Sequence, residues 1–375
     1  MPKKTSRAPK PATRKKKSLA PKPATQKKKS LAPKRRTPKK FQSESLFPDP
    51  LELFDANPTS RAVEVGDLYS VNGLIRLISI PHIGNTNAVK LAKYFHKWAN
   101  LAGASQGDIA NVIGRKHLEK IHISISESAD APKMPEGVTA IGCFDMQWPQ
   151  WLKTIPHPPA VIFIRGTIPP GDSLGVVGTR NPTRFGVRVV ESVVHEAAKH
   201  NVGIVSGLAL GIDAIAHREA LKQGLLTWAI LGSGVDIPSP NENLELSEEI
   251  LKAGGGLLSE QLPGTLSFPG SLVARNRLQS AASFAVVIAQ CGIPSGTLHT
   301  ARFAIEQRRR LVVSRPKPPW DLEPQSLGNM ALTDQNGWDT SIFKATENLN
   351  NIISQRKPIA DVVIRESSDV YMIWD

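Results

Sequence analysis

From Val138 onward the chain alternates apolar runs of strand length with helical stretches. The strand-length runs are Val161–Ile164, Leu174–Val177, Gly203–Val205, Thr227–Leu231, Gly256–Leu258, Ala285–Ala289 and Leu311–Val313. Between them lie helical stretches at Phe185–Lys199, Ala214–Lys222, Asn243–Lys252, Leu272–Ala282 and Thr297–Gln307. Parallel strands need a crossover between them, and a helix is the usual one, so this rhythm predicts an α/β fold built on a mostly parallel sheet. The strands are continuously apolar rather than alternating. That fits a sheet covered on both faces.

The rest of the chain reads differently. Residues 68–135 predict a small helical domain: Leu74, Leu77 and Ile78 precede a turn at Pro81-His82-Ile83-Gly84, and Ala88, Leu91, Ala92 and Phe95 follow at helical spacing. Helix, Gly-containing hairpin, helix resembles a helix-hairpin-helix (SAM-like) module, whose hairpin amides can meet a phosphate. An ordinary αα-hairpin would look the same. Residues 100–128 predict one or two further short helices, and residues 43–67 a linker. Residues 1–42 hold a 12-residue repeat, PATRKKKSLAPK at Pro11–Lys22 and PATQKKKSLAPK at Pro23–Lys34. Lys- and Pro-rich, with almost nothing to bury, this tail is expected to be disordered.

Charge divides along the same line. The chain has 47 basic and 33 acidic residues, net +14. Residues 1–40 contain 17 of the basic ones and none of the acidic, so the remainder is near neutral at −3. The tail suits sequence-blind, salt-dependent contact with nucleic acid, duplex DNA included. A solubilising spacer or a nuclear localisation signal would have similar composition. The body must recognise its partner by local placement of charge. Two cysteines, Cys143 and Cys291, give neither a disulfide framework nor a zinc site and suit a reducing, cytoplasmic setting. No apolar run is long enough to span a membrane, and the N-terminus lacks the apolar core of a secretory signal.

In a parallel α/β sheet, ligands bind where strands end and helices begin. Five such junctions carry small or polar residues: Gly178-Thr179-Arg180, Ser206–Asp213, Gly232-Ser233-Gly234, Ser259-Glu260 and Ser295-Gly296-Thr297. Glycine admits close backbone approach, hydroxyls and amides accept anions at helix starts, and arginine offers a planar donor fork for phosphate. Taken together they point to a phosphate-bearing ligand, against the alternative of turns that are purely structural. Arg275-Asn276-Arg277, read at the start of a helix, adds two guanidiniums and an amide able to hold phosphates and read a base edge. The alternative is a solvated charged turn, or arginines paired with acids such as Glu260. Asp213 and His217, four apart, could form an acid–base pair, though Asp213 is also well placed as a helix N-cap. Neither G-x-G-x-x-G after the first strand nor a GxxxxGK[ST] loop is present. No cofactor, metal or ATP-hydrolysing machinery is therefore implied.

The motifs VVGTR (176–180), SGLALGIDAIAH (206–217), LGSGVDIPSPN (231–241), SE (259–260), RNR (275–277) and SGTLHTA (295–301) resemble, in order and spacing, the DprA/Smf family. The likeness covers about Gly142–Pro316 and more loosely Leu68–Leu118. It implies an extended Rossmann-like domain, here 136–318, that binds single-stranded DNA without acting on it chemically. It also implies a homodimer that helps load a RecA-type recombinase during DNA uptake. By motif the DNA contacts would be Gly178, Thr179, Arg180, Ser206, Gly207, Leu272, Arg275, Asn276, Arg277, Ser295, Gly296 and Thr297. Three positions depart from the pattern: Leu272 replaces the family's aromatic residue, Ile237 its tyrosine and Gln290 its acidic residue. An aromatic stacking platform contributes about 1–3 kcal/mol per base, and Phe268, four residues before Leu272, is its possible substitute. Residues 319–375 form a poorly matched C-terminal extension, too short after Ala345 for the winged-helix module of some members. Two other functions fit the same residues. One is a nucleotide-processing or nucleotide-sensing enzyme using Asp213, His217 and Glu260. The other is a nucleoid-associated scaffold acting mainly through its tail.

Overall fold

The computed structural model describes residues 68–375, except 129, 337–339 and 344–345. The expected tail and linker lie outside the described residues. Nine strands form one sheet: β1 (Thr139–Gly142), β2 (Val161–Gly166), β3 (Ser173–Gly178), β4 (Ile204–Ser206), β5 (Thr227–Leu231), β6 (Gly256–Ser259), β7 (Ser283–Gln290), β8 (Arg310–Ser314) and β9 (Val362–Ile364). Their spatial order is β1-β2-β6-β5-β4-β3-β7-β8-β9. Seven strands, β6 through β9 in that order, run parallel, and β1 and β2 join antiparallel at the β6 edge. This is an extended Rossmann-like sheet. From β3 the chain steps outward through β4, β5 and β6, then returns to place β7 on the other side of β3. The reversal between β3 and β7 is a topological switch point, the place where open parallel sheets hold ligands in a crevice beyond the strand ends.

Each of the seven apolar runs is a strand. Their residues split by parity between the two faces. Val176, Ala285, Val287 and Val312 join one core with α7 (Arg184–Lys199) and α8 (Ile212–Lys222). Val177, Val286, Ile288, Leu311 and Val313 join another with α11 (Thr297–Glu306). Helix α9 (Leu244–Lys252) follows β5, and α10 (Pro269–Ala281) packs beside α11. Strands β1 and β9 were not anticipated. Both are short edge strands, and β9 lies within the C-terminal extension, where it pairs with β8. That segment adds α12 (Leu327–Thr333) and α13 (Glu347–Ser354).

The helical module comprises α1 (Val71–Ser79), α2 (Asn85–Phe95), α3 (Trp98–Ala102), α4 (Gln106–Ile113) and α5 (Leu118–Ser126); a single turn, α6 (Gln150–Lys153), precedes β2. The Ser70 hydroxyl caps α1 by accepting the Gly73 amide at 3.0 Å. The buried faces, Leu74 and Leu77 on α1 and Ala88, Leu91 and Phe95 on α2, share a core with Ile141, Val161 and Phe163 of β1 and β2. The antiparallel pair thus serves as the seat of the helical module. No helix among the described residues is long and apolar enough to cross a membrane.

Two local expectations are corrected. Helix α10 starts at Pro269, three residues before Leu272, because proline suits the first helical position and the Phe268 amide donates to Ser271 Oγ at 3.0 Å. The RNR triplet therefore sits in mid-helix rather than at a helix start. Asp213 is not the N-cap of α8; that position is Gly211, and Asp213 lies inside the first turn.

Candidate nucleic-acid interface

The rim of the crevice is built from five loops, and backbone bonds lock the first two together. Gly178 ends β3. The next amide, Thr179 N–H, donates to the Gln290 carbonyl at the end of β7 (2.7 Å), and the Thr179 carbonyl accepts the Ile212 amide at the start of α8 (3.1 Å). Gly211 lies against this bend with φ +76°; a Cβ there would run into the Thr179 and Arg180 carbonyls. Following this fixed Thr179, the Arg180 side chain is exposed and without a hydrogen-bond or ion-pair partner among the described residues. Gln290 is buried and ties the crevice across: its Oε1 accepts the Thr183 amide (2.9 Å) and its Nε2 donates to Ser326 Oγ (2.9 Å).

The second loop rests on a buried cation. Ser206 is fully buried and its hydroxyl donates to the Val176 carbonyl at 2.7 Å. Directly beneath Gly207 lies the Arg275 guanidinium, so close that any Cβ at 207 would collide with it. Arg275 is 6% exposed. Its Nη1 donates to the Ile230 carbonyl (3.1 Å), and its Nη2 is 3.8 Å from Asp213 Oδ2. Burial pushes the Asp213 carboxyl up, while Arg275 and the amides of Ala209 and Gly207 pull it down. Arg275 keeps its charge, as guanidinium does in proteins, and it feels the positive charge of Arg180 nearby.

His217, one turn along α8, is fully buried against Thr227, with Nδ1 2.7 Å from Thr227 Oγ1. That hydroxyl already donates its only proton to the Ile204 carbonyl (2.9 Å), so Nδ1–H is the donor and the tautomer is set. Burial, with Arg275 and Arg218 nearby, depresses the imidazole pKa to about 3. Asp213 and His217 therefore have separate partners, and neither faces solvent as an acid–base pair would.

Each member of the RNR triplet holds a different part of the rim. Arg275 supports the β4 and β5 ends as described. Asn276 Nδ2 donates to the Gly296 carbonyl (3.3 Å) and fixes the Ser295-Gly296-Thr297 loop, where the Thr297 amide also donates to Ser295 Oγ (3.2 Å). Gly296 itself is exposed, with open space where a side chain would stand, while Thr297 is buried. Arg277 forms a bidentate pair with Glu260, both contacts 2.6 Å, and its Nε donates to the His157 carbonyl at 3.2 Å. Glu260 Oε2 in turn accepts from Asn85 Nδ2 (3.0 Å), and Asn85 Oδ1 accepts the Ala160 amide (3.0 Å). The hairpin of the helical module is thus tied to the sheet through Asn85, a residue with no motif to signal it. Arg277 is thus the arginine of the triplet that pairs with Glu260.

The motif residues accordingly separate into two sets. Gly178, Thr179, Arg180 and Gly296 present backbone or side chain at the rim. Ser206, Gly207, Arg275, Asn276 and Arg277 are turned inward and shape it. Leu272 is half-buried against Gly232. Phe268 stands 52% exposed at the mouth of a cleft of about 500 Å³ shared by Asn85, Glu260 and Arg277.

Residues 139–352 match the family described as DNA recombination-mediator protein A. Over 191 residues the chain is 37% identical to the DNA processing protein DprA of Bacillus subtilis, covering 48% of this chain and 64% of that protein. Over 181 residues it is 39% identical to the protein Smf of Synechocystis, covering 47% and 45%. The chain thus spans less than two thirds of the length of these relatives. The X-ray structure of DprA from Streptococcus pneumoniae superposes with a TM-score of 0.60 at 22% identity, covering 81% of this chain and 97% of that one, and so shares its fold.

Proposed function

Since the chain belongs to the DNA recombination-mediator protein A (DprA/Smf) family, we propose that it binds single-stranded DNA along the crevice at the ends of β3 and β7, as a mediator rather than an enzyme. The observation that carries this reading is Arg180. The Thr179 backbone just before it is held on both sides, yet the Arg180 guanidinium has no internal partner among the described residues and stands exposed beside the sheet's switch point. A phosphate supplies what the fold leaves out, a pair of acceptor oxygens spaced to meet the two parallel N–H bonds of the guanidinium fork. Acid–base chemistry finds no support in side chains that are buried and already paired: Asp213 with Arg275, His217 with Thr227, Glu260 with Arg277.

The family likeness extends the proposal to a cytoplasmic homodimer that assists a RecA-type recombinase, with the basic tail as an added, salt-sensitive anchor on duplex DNA. The test is a titration of the full chain and of residues 43–375 with single- and double-stranded oligonucleotides at two salt concentrations. Residues 43–375 should prefer single strands. Arg180→Ala should weaken single-strand binding and lower its salt slope by about 0.7, the value of one lost phosphate contact. Equal binding of single strands and duplex by residues 43–375 refutes the proposal.

A further inference from the structure

Three exposed arginines follow one another at intervals of four: Arg180 on the β3 loop, then Arg184 and Arg188 on α7. None of the three side chains has a hydrogen bond or ion pair among the described residues. Arg184 and Arg188 lie on one face of the helix, about 6 Å apart along its axis. That face points away from the buried side formed by Gly186, Val190, Val193 and Val194. The first turn of α7 contains no acidic residue, so both arginines stand unbalanced near the positive end of a 16-residue helix. Helix stability would be better served by acids at these positions. The next exposed residue on this face is Glu191, which ends the cationic strip. Beside Arg184, the Phe185 ring stacks on Trp320 with centroids 6.2 Å apart and planes 26° from parallel, and both rings are half-buried.

We infer that this strip is a second DNA subsite, where a strand leaving the Arg180 rim continues over α7 with its phosphates on Arg184 and Arg188 and a base against the Phe185–Trp320 pair. The inference rests on the single-strand reading above and adds the direction of the strand and the residues that receive it. It also gives the chain an aromatic platform in place of the one that Leu272 lacks. Arginine side chains are long and mobile enough to follow a backbone without sequence preference, and a base face stacks on any aromatic ring.

The experiment uses the full chain with single-stranded oligonucleotides of about 4 and about 16 nucleotides. The basic tail is present in every protein compared and contributes equally. The wild type should bind the long strand more tightly and with the steeper salt slope. Arg184→Gln/Arg188→Gln should leave short-strand binding unchanged while reducing the long-strand slope by about 1.4, two phosphate contacts at about 0.7 each. Trp320→Leu, which keeps an apolar side chain against Phe185, should weaken the long strand several-fold with the salt slope intact. Wild-type affinity and slope for the long strand in the double glutamine variant would overturn the strip and leave the rim standing. Failure of the wild type to bind single strands of either length would overturn both.

Discussion

Replacing Arg275 by methionine tests whether the rim stands on a buried charge. The substitution keeps most of the volume but removes the cation 3.8 Å from Asp213 Oδ2 and the donor to the Ile230 carbonyl. At an effective dielectric of about 20, two unit charges at that separation interact by about 4 kcal/mol. Breaking a buried pair from one side costs about 3–5 kcal/mol, because the surviving charge is left unpaired. The lost hydrogen bond adds about 1 kcal/mol. The variant should therefore lose about 4–6 kcal/mol in urea unfolding, a large part of the roughly 5–15 kcal/mol a domain possesses. Asp213→Asn in the same background should recover about 2 kcal/mol. The pH dependence carries the sign. The stranded carboxyl has a folded pKa above its unfolded value near 3.9, so the folded state holds the extra proton between the two. The variant should lose stability, relative to wild type, as pH rises through that window. A loss under about 1 kcal/mol, or strict additivity with Asp213→Asn, would refute the buried pair as the support of the loop.

Three further outcomes follow from the same geometry. His217 is held neutral with a pKa of about 3 against about 6.5 unfolded, so the unfolded chain binds more protons between those values; stability should be full above pH 6.5 and fall by up to about 1.4 kcal/mol per unit below it, and His217→Leu should flatten that slope in unfolding curves measured from pH 7 to 4.5. Gly207→Ala forces a methyl group onto the Arg275 guanidinium and should cost about 1–3 kcal/mol, less so when Arg275 is already methionine, as a double-mutant cycle will read. Asn85→Ala removes the acceptor of the Ala160 amide, so that amide should exchange faster by NMR while the β7 amides stay protected.

The parallel sheet was legible because its strands are buried on both faces and their apolar runs are unbroken. Strands β1 and β9 were not, since Thr139-Ala140 is partly exposed and three residues at Val362–Ile364 are too few to display a period. The motif positions were legible as well, but the direction of their side chains was not. Arg180 and Arg275 look alike in sequence, and what gives one an inward set of partners, the Ile230 carbonyl and Asp213, lies 45 and 62 residues earlier in the chain. Nor does any local signal connect Asn85 with Glu260, 175 positions away. Helix α10 begins three residues before the expected Leu272, because Pro269 suits the first helical position and Ser271 closes the first turn over Phe268.

Helix α10 carries one further implication. Through Arg275, Asn276 and Arg277 a single rod grips two strand ends, a helix-leading loop and, by way of Glu260 and Asn85, the hairpin of the neighbouring module. A jaw set on one rod has its gape decided before any guest arrives, with little ordering left to do on capture. Movement of the hairpin would be carried through Asn85, Glu260 and Arg277 to α10, and so to the β5 end and the Ser295–Thr297 loop together.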